Sequence, residues 1–198
     1  MNAALGFRAH SGWATLVALA GPARSPSVLE RRRIELAPAE VEGSKQPFHA
    51  AEELPLAQAR TFVKRCTDAA RRLAREAVSG VVKELKEKGY EPVGSGLLLA
   101  SGRPLPELPA ILASHALIHT AEGALFREAL VHASEGCRLG VLKVRERELG
   151  DVSAAALHLE PDQVQQQLAA WGRALGPPWR QDEKMATLVA WLVLSGKR

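Results

Sequence analysis

The sequence predicts an α/β fold: a mixed five-stranded sheet, made of an antiparallel N-terminal meander plus two parallel strands, flanked by helices. Three observations predict it. Residues 1–37 hold short apolar runs separated by turn residues, as hairpin-linked strands do. Residues 55–88 then carry apolar side chains at helical spacing. After them come two more apolar runs, each reached through a helical segment, which is how parallel strands are joined.

The elements follow in order. Ala3 to Arg8 and Trp13 to Ala20 read as strands, and "AHSG" between them is a turn in which Gly12 can take an unusual backbone angle. "SPSVLERRRIELA" alternates Val28, Glu30 and Arg32 against Leu29, Arg31 and Arg33, a third strand near an edge where charge is tolerated. "PAEVEGSKQPFHAAEELP" reads as a connecting loop.

Pro55 opens the long helix. Leu56, Ala59, Phe62, Val63, Cys66, Ala70, Leu73, Ala77, Val81 and Leu85 form its apolar stripe, and Gly89 is a good stop. Ser79–Gly80 is a candidate kink within it. "VGSGLLLASG" is a buried parallel strand, and "LPELPAILA" a short turn-like helix. Ser114 is a natural N-cap for a helix reaching about Gly136. "VLKVRER" is the last strand. Residues 160–198 form two helices, about Pro161 to Leu175 and Gln181 to Leu194, parted by "GPPW". The whole chain, 1–198, is expected to be a single domain.

Composition narrows the function classes. The hydrophobic share is 46% and the charged share 24%, as in ordinary soluble proteins. With aromatics at 5%, aliphatic and Ala packing must dominate the core, and the four tryptophans read as packing residues. A net charge of +4 permits a nucleic-acid partner without demanding one. Cys66 and Cys137 form neither a CxxC pair nor a metal spacing, which points to a reducing cytoplasm. Arg8 and His10 interrupt the N-terminal apolar run and spoil a signal peptide. The apolar run from Met185 to Leu194 falls well short of the ~20 residues needed to cross a bilayer, so no membrane association is expected. The sequence leaves a homo-oligomer open and names no cofactor.

The most unusual polar stretch is "SHALIHTAEG", residues 114–123. At 100° per residue, His115, His119 and Glu122 share one narrow helix face, which Phe126, Ala129 and Ala133 continue. That places imidazoles at a partly buried edge, where their acidity shifts or a metal binds. Three readings stand: helix residues hydrogen-bonded locally, a transition-metal site, and an acid/base or phosphate-contacting site completed from elsewhere. The stretch lacks the Glu of HExxH, so it is not the zinc-protease motif.

Two stretches resemble a known family. "ALGFRAHSGWATLVAL" is similar to the first hairpin of the ribonuclease-H-like fold, and in particular of the RuvC-type Holliday-junction resolvases. "WRQDEKMATLVAWLVL" resembles their last helix, with Asp182 or Glu183 at the acidic position. The resemblance implies their fold. Nucleases of that family hold two divalent cations about 4 Å apart between carboxylates. Here Arg8 stands at the first-strand acid position and "GLLLAS" supplies no acid from the fourth strand.

The expectation is therefore a RuvC-like domain lacking the usual two-metal nuclease site. It would bind a phosphate-bearing ligand or nucleic acid where the parallel strands end. Arg8, His10, Ser11, Gly12, His49, Arg103 and Ser114 are the candidate ligand-binding residues, converging on one crevice beside the positive end of the helix at Ser114. The rival is a hydrolase whose catalytic residues are His115, His119 and Glu122, with or without a metal. A third reading is an assembly protein working through an exposed apolar C-terminal helix.

Overall fold

The computed structural model describes residues 1–100 and 104–197. Its strands are β1 (Asn2–His10), β2 (Trp13–Ala20), β3 (Ser27–Glu35), β4 (Glu91–Leu99) and β5 (Val141–Arg145). Its helices are α1 (Pro47–Ala51), α2 (Leu56–Glu87), α3 (Leu108–Leu112), α4 (His115–Gly136), α5 (Leu149–Leu157), α6 (Pro161–Leu175) and α7 (Gln181–Leu194). The five strands lie in the order β3-β2-β1-β4-β5. β1 and β3 each pair antiparallel with β2, while β4 pairs parallel with both β1 and β5. This is the mixed sheet that the sequence predicts.

Strand alternation sends successive side chains to opposite faces. Leu5 and Phe7 of β1 join a core with Ala70, Ala74 and Val78 of α2 and Phe126, Ala129 and Leu130 of α4. Ala4 joins the other core, with Leu168 and Trp171 of α6 and Val189 and Trp191 of α7. The sheet is thus covered on both faces.

α2 is continuous over its 32 residues, about 48 Å, and runs through Ser79–Gly80 without a break. Gly89 ends it at φ +80°, and the Tyr90 N–H closes the end on the Leu85 carbonyl. Ser114 occupies the cap position of α4 with an extended backbone, but its side chain makes no capping hydrogen bond.

Three differences from the sequence reading are informative. α1 forms inside the expected loop. α5, preceded by a 3-10 turn (Glu146–Glu148), fills a stretch to which the sequence reading assigns no element, and β5 stops at Arg145. The apolar C-terminal helix is not exposed: Met185 to Val193 of α7 are all buried between the sheet and the helices outside it. A helix apolar on every side needs such a position. That removes the expected docking face. No described helix is long and apolar enough to cross a membrane.

Candidate functional site

β1 is the central strand, and the polar residues at its carboxyl end sit on the α7 side. Gly6 faces Ala186 of α7, so Arg8 and His10, two and four residues on, face the same way. Arg8 reaches two carboxylates there. Its Nη1 donates to Asp182 Oδ1 at 2.5 Å, and its Nη2 to Glu146 Oε1 at 3.0 Å. Asp182 lies in the first turn of α7, and Glu146 directly follows β5. The Arg8 side chain is only 19% exposed. Asp182 is 25% exposed, so this pair is partly buried and worth more than a surface one, whereas Glu146 is 46% exposed and its contact is close to a surface pair.

His10 adds a second cation-capable group. Its Nε2 lies 3.1 Å from Asp182 Oδ1, off the line of a hydrogen bond. Its ring stacks on Trp13 at 4.2 Å, and the Arg33 guanidinium covers the other neighbourhood of that indole at 4.0 Å from the ring centroid. Arg33 Nε donates to Glu35 at 2.7 Å. Trp13 is half-buried, unlike Trp171 and Trp191, which meet edge to face in the core at 5.1 Å. Trp13, Arg31, Arg33, Arg180 and Asp182 line a cleft of about 290 Å³ between β2, β3 and the start of α7. Arg31 is partly spent, because it donates to the carbonyls of Leu175, Gly176 and Pro177 where α6 ends.

Gly12 has φ +83° and its carbonyl accepts from the Leu36 and Ala37 N–H groups, which ties the first turn to the end of β3. Ser11 beside it is exposed.

The histidine stretch lies on the other side of the sheet. His115 and His119 are exposed one turn apart on α4, with ring centroids 4.5 Å apart. His49 of α1 joins them, its ring 5.3 Å from His115 and 4.7 Å from His119. Glu122 is 1% exposed, and its Oε1 accepts from Phe48 N, His49 N and His49 Nδ1, each at 3.1 Å. Glu122 is therefore the cap of α1. Phe126, Ala129 and Ala133 continue its face into the core, as the helical spacing implies.

The expected single crevice does not form among the described residues. Arg8 and His10 gather with Asp182 under α7, whereas His49, Ser114, His115, His119 and Glu122 belong to the α1 and α4 side. The reason is the strand alternation: Phe7 points to α4, so Arg8 points away from it. Arg103 lies outside the described residues. Sequence reasoning missed Glu146 and the aromatic cleft. A charged residue just past the end of a parallel strand is a usable signal for the first. The second needs the β2–β3 pairing, which sets Trp13 and Arg33 two residues apart across the ladder.

No family model matches the chain, and no curated protein matches it. Solved structures do. A structure of "T. thermophilus RuvC in complex with Holliday junction substrate" aligns over 100% of this chain and 96% of its own, at 11% identity and a TM-score of 0.58. A second, "Thermus thermophilus RuvC structure", aligns over 98% of this chain and 95% of its own, at 10% identity and a TM-score of 0.57. The likeness is one of fold, and it agrees with the strand order: the chain has a ribonuclease-H-like, RuvC-like fold.

Proposed function

We propose that this RuvC-like chain binds structured nucleic acid through phosphate contacts at the cleft under α7, without two-metal nuclease chemistry. The observation that carries the reading is the Arg8 fork on Asp182 and Glu146. Hard divalent cations need free, clustered carboxylate oxygens. At the carboxyl ends of β1, β4 and β5 the carboxylates are held by a guanidinium, and β4 ends in Leu97, Leu98 and Leu99. The donor set does not fit a pair of metal ions. A cation fixed in their place neutralises the cleft floor, so Arg33 and Arg180 at the rim give it a positive edge.

The Trp13 indole, with His10 stacked on it and Arg33 over its ring, holds these two cation-capable groups at the cleft. One of the similar proteins was solved with a Holliday junction, which supports a branched nucleic acid as the partner class. Arg8 itself is a structural cation in this reading rather than an anion ligand.

Binding to a fluorescent four-way DNA junction and to a plain duplex, measured by anisotropy across a salt series with Mg2+ present, tests the reading. Expected is salt-sensitive binding, tighter to the junction, with no strand cleavage. Salt-independent binding, or cleavage that Mg2+ supports, overturns it.

The rival hydrolase reading assigns catalysis to His115, His119 and Glu122. Glu122 is the weak member: it is buried and its Oε1 already serves α1. A general base must reach the substrate proton.

A further inference from the structure

We infer that His49, His115 and His119 form a binding site for one zinc-class transition metal ion, with Glu122 as the residue that orients His49. The site stands apart from the α7 cleft and does not depend on its function.

The first argument is position. One ring nitrogen from each histidine can be chosen so that the three lie within 4.8 Å of one another. A tetrahedral ion with bonds of about 2.0–2.1 Å puts its ligand nitrogens about 3.4 Å apart. The rings therefore need to close by little more than an ångström. His115 and His119 are exposed, on the solvent side of α4.

The second argument is mutual orientation. The ring planes meet at 79°, 65° and 89°, so the three imidazoles stand around a common space instead of stacking.

The third argument is Glu122. Its Oε1 sits 3.1 Å from His49 Nδ1 and is nearly inaccessible to water. A carboxylate there keeps the proton on Nδ1 and leaves the Nε2 lone pair free. Metal-bound histidines are oriented in just this way by outer carboxylates. The sequence reading placed Glu122 among three candidate ligands. In the structure it stands behind His49, and His49 takes the third ligand position.

The ligand set also selects the ion. Three neutral imidazoles suit zinc, copper or nickel and disfavour magnesium and calcium, which require oxygen. Zinc is the ion assigned here. Because His115 and His119 face solvent, the fourth position opens outward and takes water or a small anion. The bound ion would tie α1, whose five residues are held by Glu122, a second time to α4.

The test uses the full chain, stripped with chelator and then titrated with zinc by calorimetry, with cobalt absorption as a second readout. Expected are one equivalent of zinc, a tetrahedral cobalt spectrum and a rise in Tm. His119→Ala, at an exposed position, and His49→Ala should each weaken zinc at least ~100-fold, with circular dichroism unchanged. Glu122→Gln should weaken it about 10–100-fold. His132→Ala, elsewhere on α4, should leave it unchanged. Wild-type binding no tighter than about 1 mM, or equal affinity in His119→Ala, overturns the assignment.

Discussion

Gly6 of β1 and Ala186 of α7 meet backbone against backbone. A Cβ added to Gly6 would overlap the Ala186 carbonyl oxygen, and one added to Gly96, its register partner in β4, would lie 2.7 Å from the Val189 carbonyl oxygen. The two glycines form a trough across the middle of the sheet into which α7 settles. Overpacking where side chains can shift costs about 1–3 kcal/mol. Here backbone must shift, so Gly6→Ala and Gly96→Ala are each expected to cost about 3 kcal/mol or more. Gly123→Ala on α4 is the control, because a Cβ there meets only the mobile guanidinium end of Arg127, 2.8 Å away. Urea midpoints should fall steeply for the first two and little for the third. A mild effect of Gly6→Ala would mean that α7 sits farther from the sheet.

That trough has a signature in the sequence. Glycines inside apolar strand patterns signal close approach of another backbone. The mixed sheet and the long helix were legible because their periodicity repeats over many residues. α1 was not, because its five residues depend on a carboxylate from Glu122, more than 70 positions away. The same separation hid His49 as the partner of His115 and His119: helical spacing reports neighbours within α4 and nothing about a distant loop. Arg8 was legible as a misplaced cation, while its partner Glu146 depended on knowing where β5 ends.

Gly80 lies in the interior of α2 with open space around its missing side chain. Nothing in the fold needs glycine there, and the helix carries its conformational cost. Gly80→Ala is expected to stabilise the chain by about 0.5–1 kcal/mol, read as a higher urea midpoint at unchanged slope. A loss of stability would show that α2 flexes at this position in solution.

The Arg8 fork predicts an asymmetric response to mutation. Arg8→Met removes the cation from Asp182 and Glu146, which then repel each other across the end of β4. The pairs are partly buried, so the expected loss lies between surface and buried values, about 1–3 kcal/mol. The double variant Arg8→Met with Asp182→Asn should recover part of it. Equal losses in the single and double variants, measured in a thermodynamic cycle, would show that the fork adds nothing beyond packing.

Burial raises the pKa of both thiols. Desolvation pushes Cys66 up against the opposing pull of Arg65, and pushes Cys137 up against Arg75 and Lys86. A raised thiol pKa leaves less thiolate at neutral pH, and thiolate is the reactive form. Disulfide-exchange reagents should therefore label the native chain slowly at pH 7 and faster as pH rises toward and past the ordinary cysteine range. Cys137, the less buried of the two, should react first, with Cys66 following once urea opens the core. Rapid labelling of Cys66 in the native chain would contradict its burial.

The cleft beside Trp13 makes a quantitative prediction about salt. Each phosphate contact contributes about −0.9 to the slope of log K against log salt on duplex DNA. Arg33 and Arg180 both line the cleft, and only Arg33 shares its charge with a carboxylate, Glu35. Arg180→Ala should thus weaken binding on all sequences alike and reduce the slope by about 1, and Arg33→Ala by somewhat less. Trp13 holds His10 and Arg33 in place and presents no open face to a base, so Trp13→Ala should cost less than the ~1–3 kcal/mol of a stacked base and leave most of the slope in place. Lys64→Ala, at an exposed i,i+4 pair with Asp68 on α2, should change neither. If Lys64→Ala flattened the slope while Arg180→Ala left it intact, the nucleic acid would lie along α2, on the opposite face of the sheet.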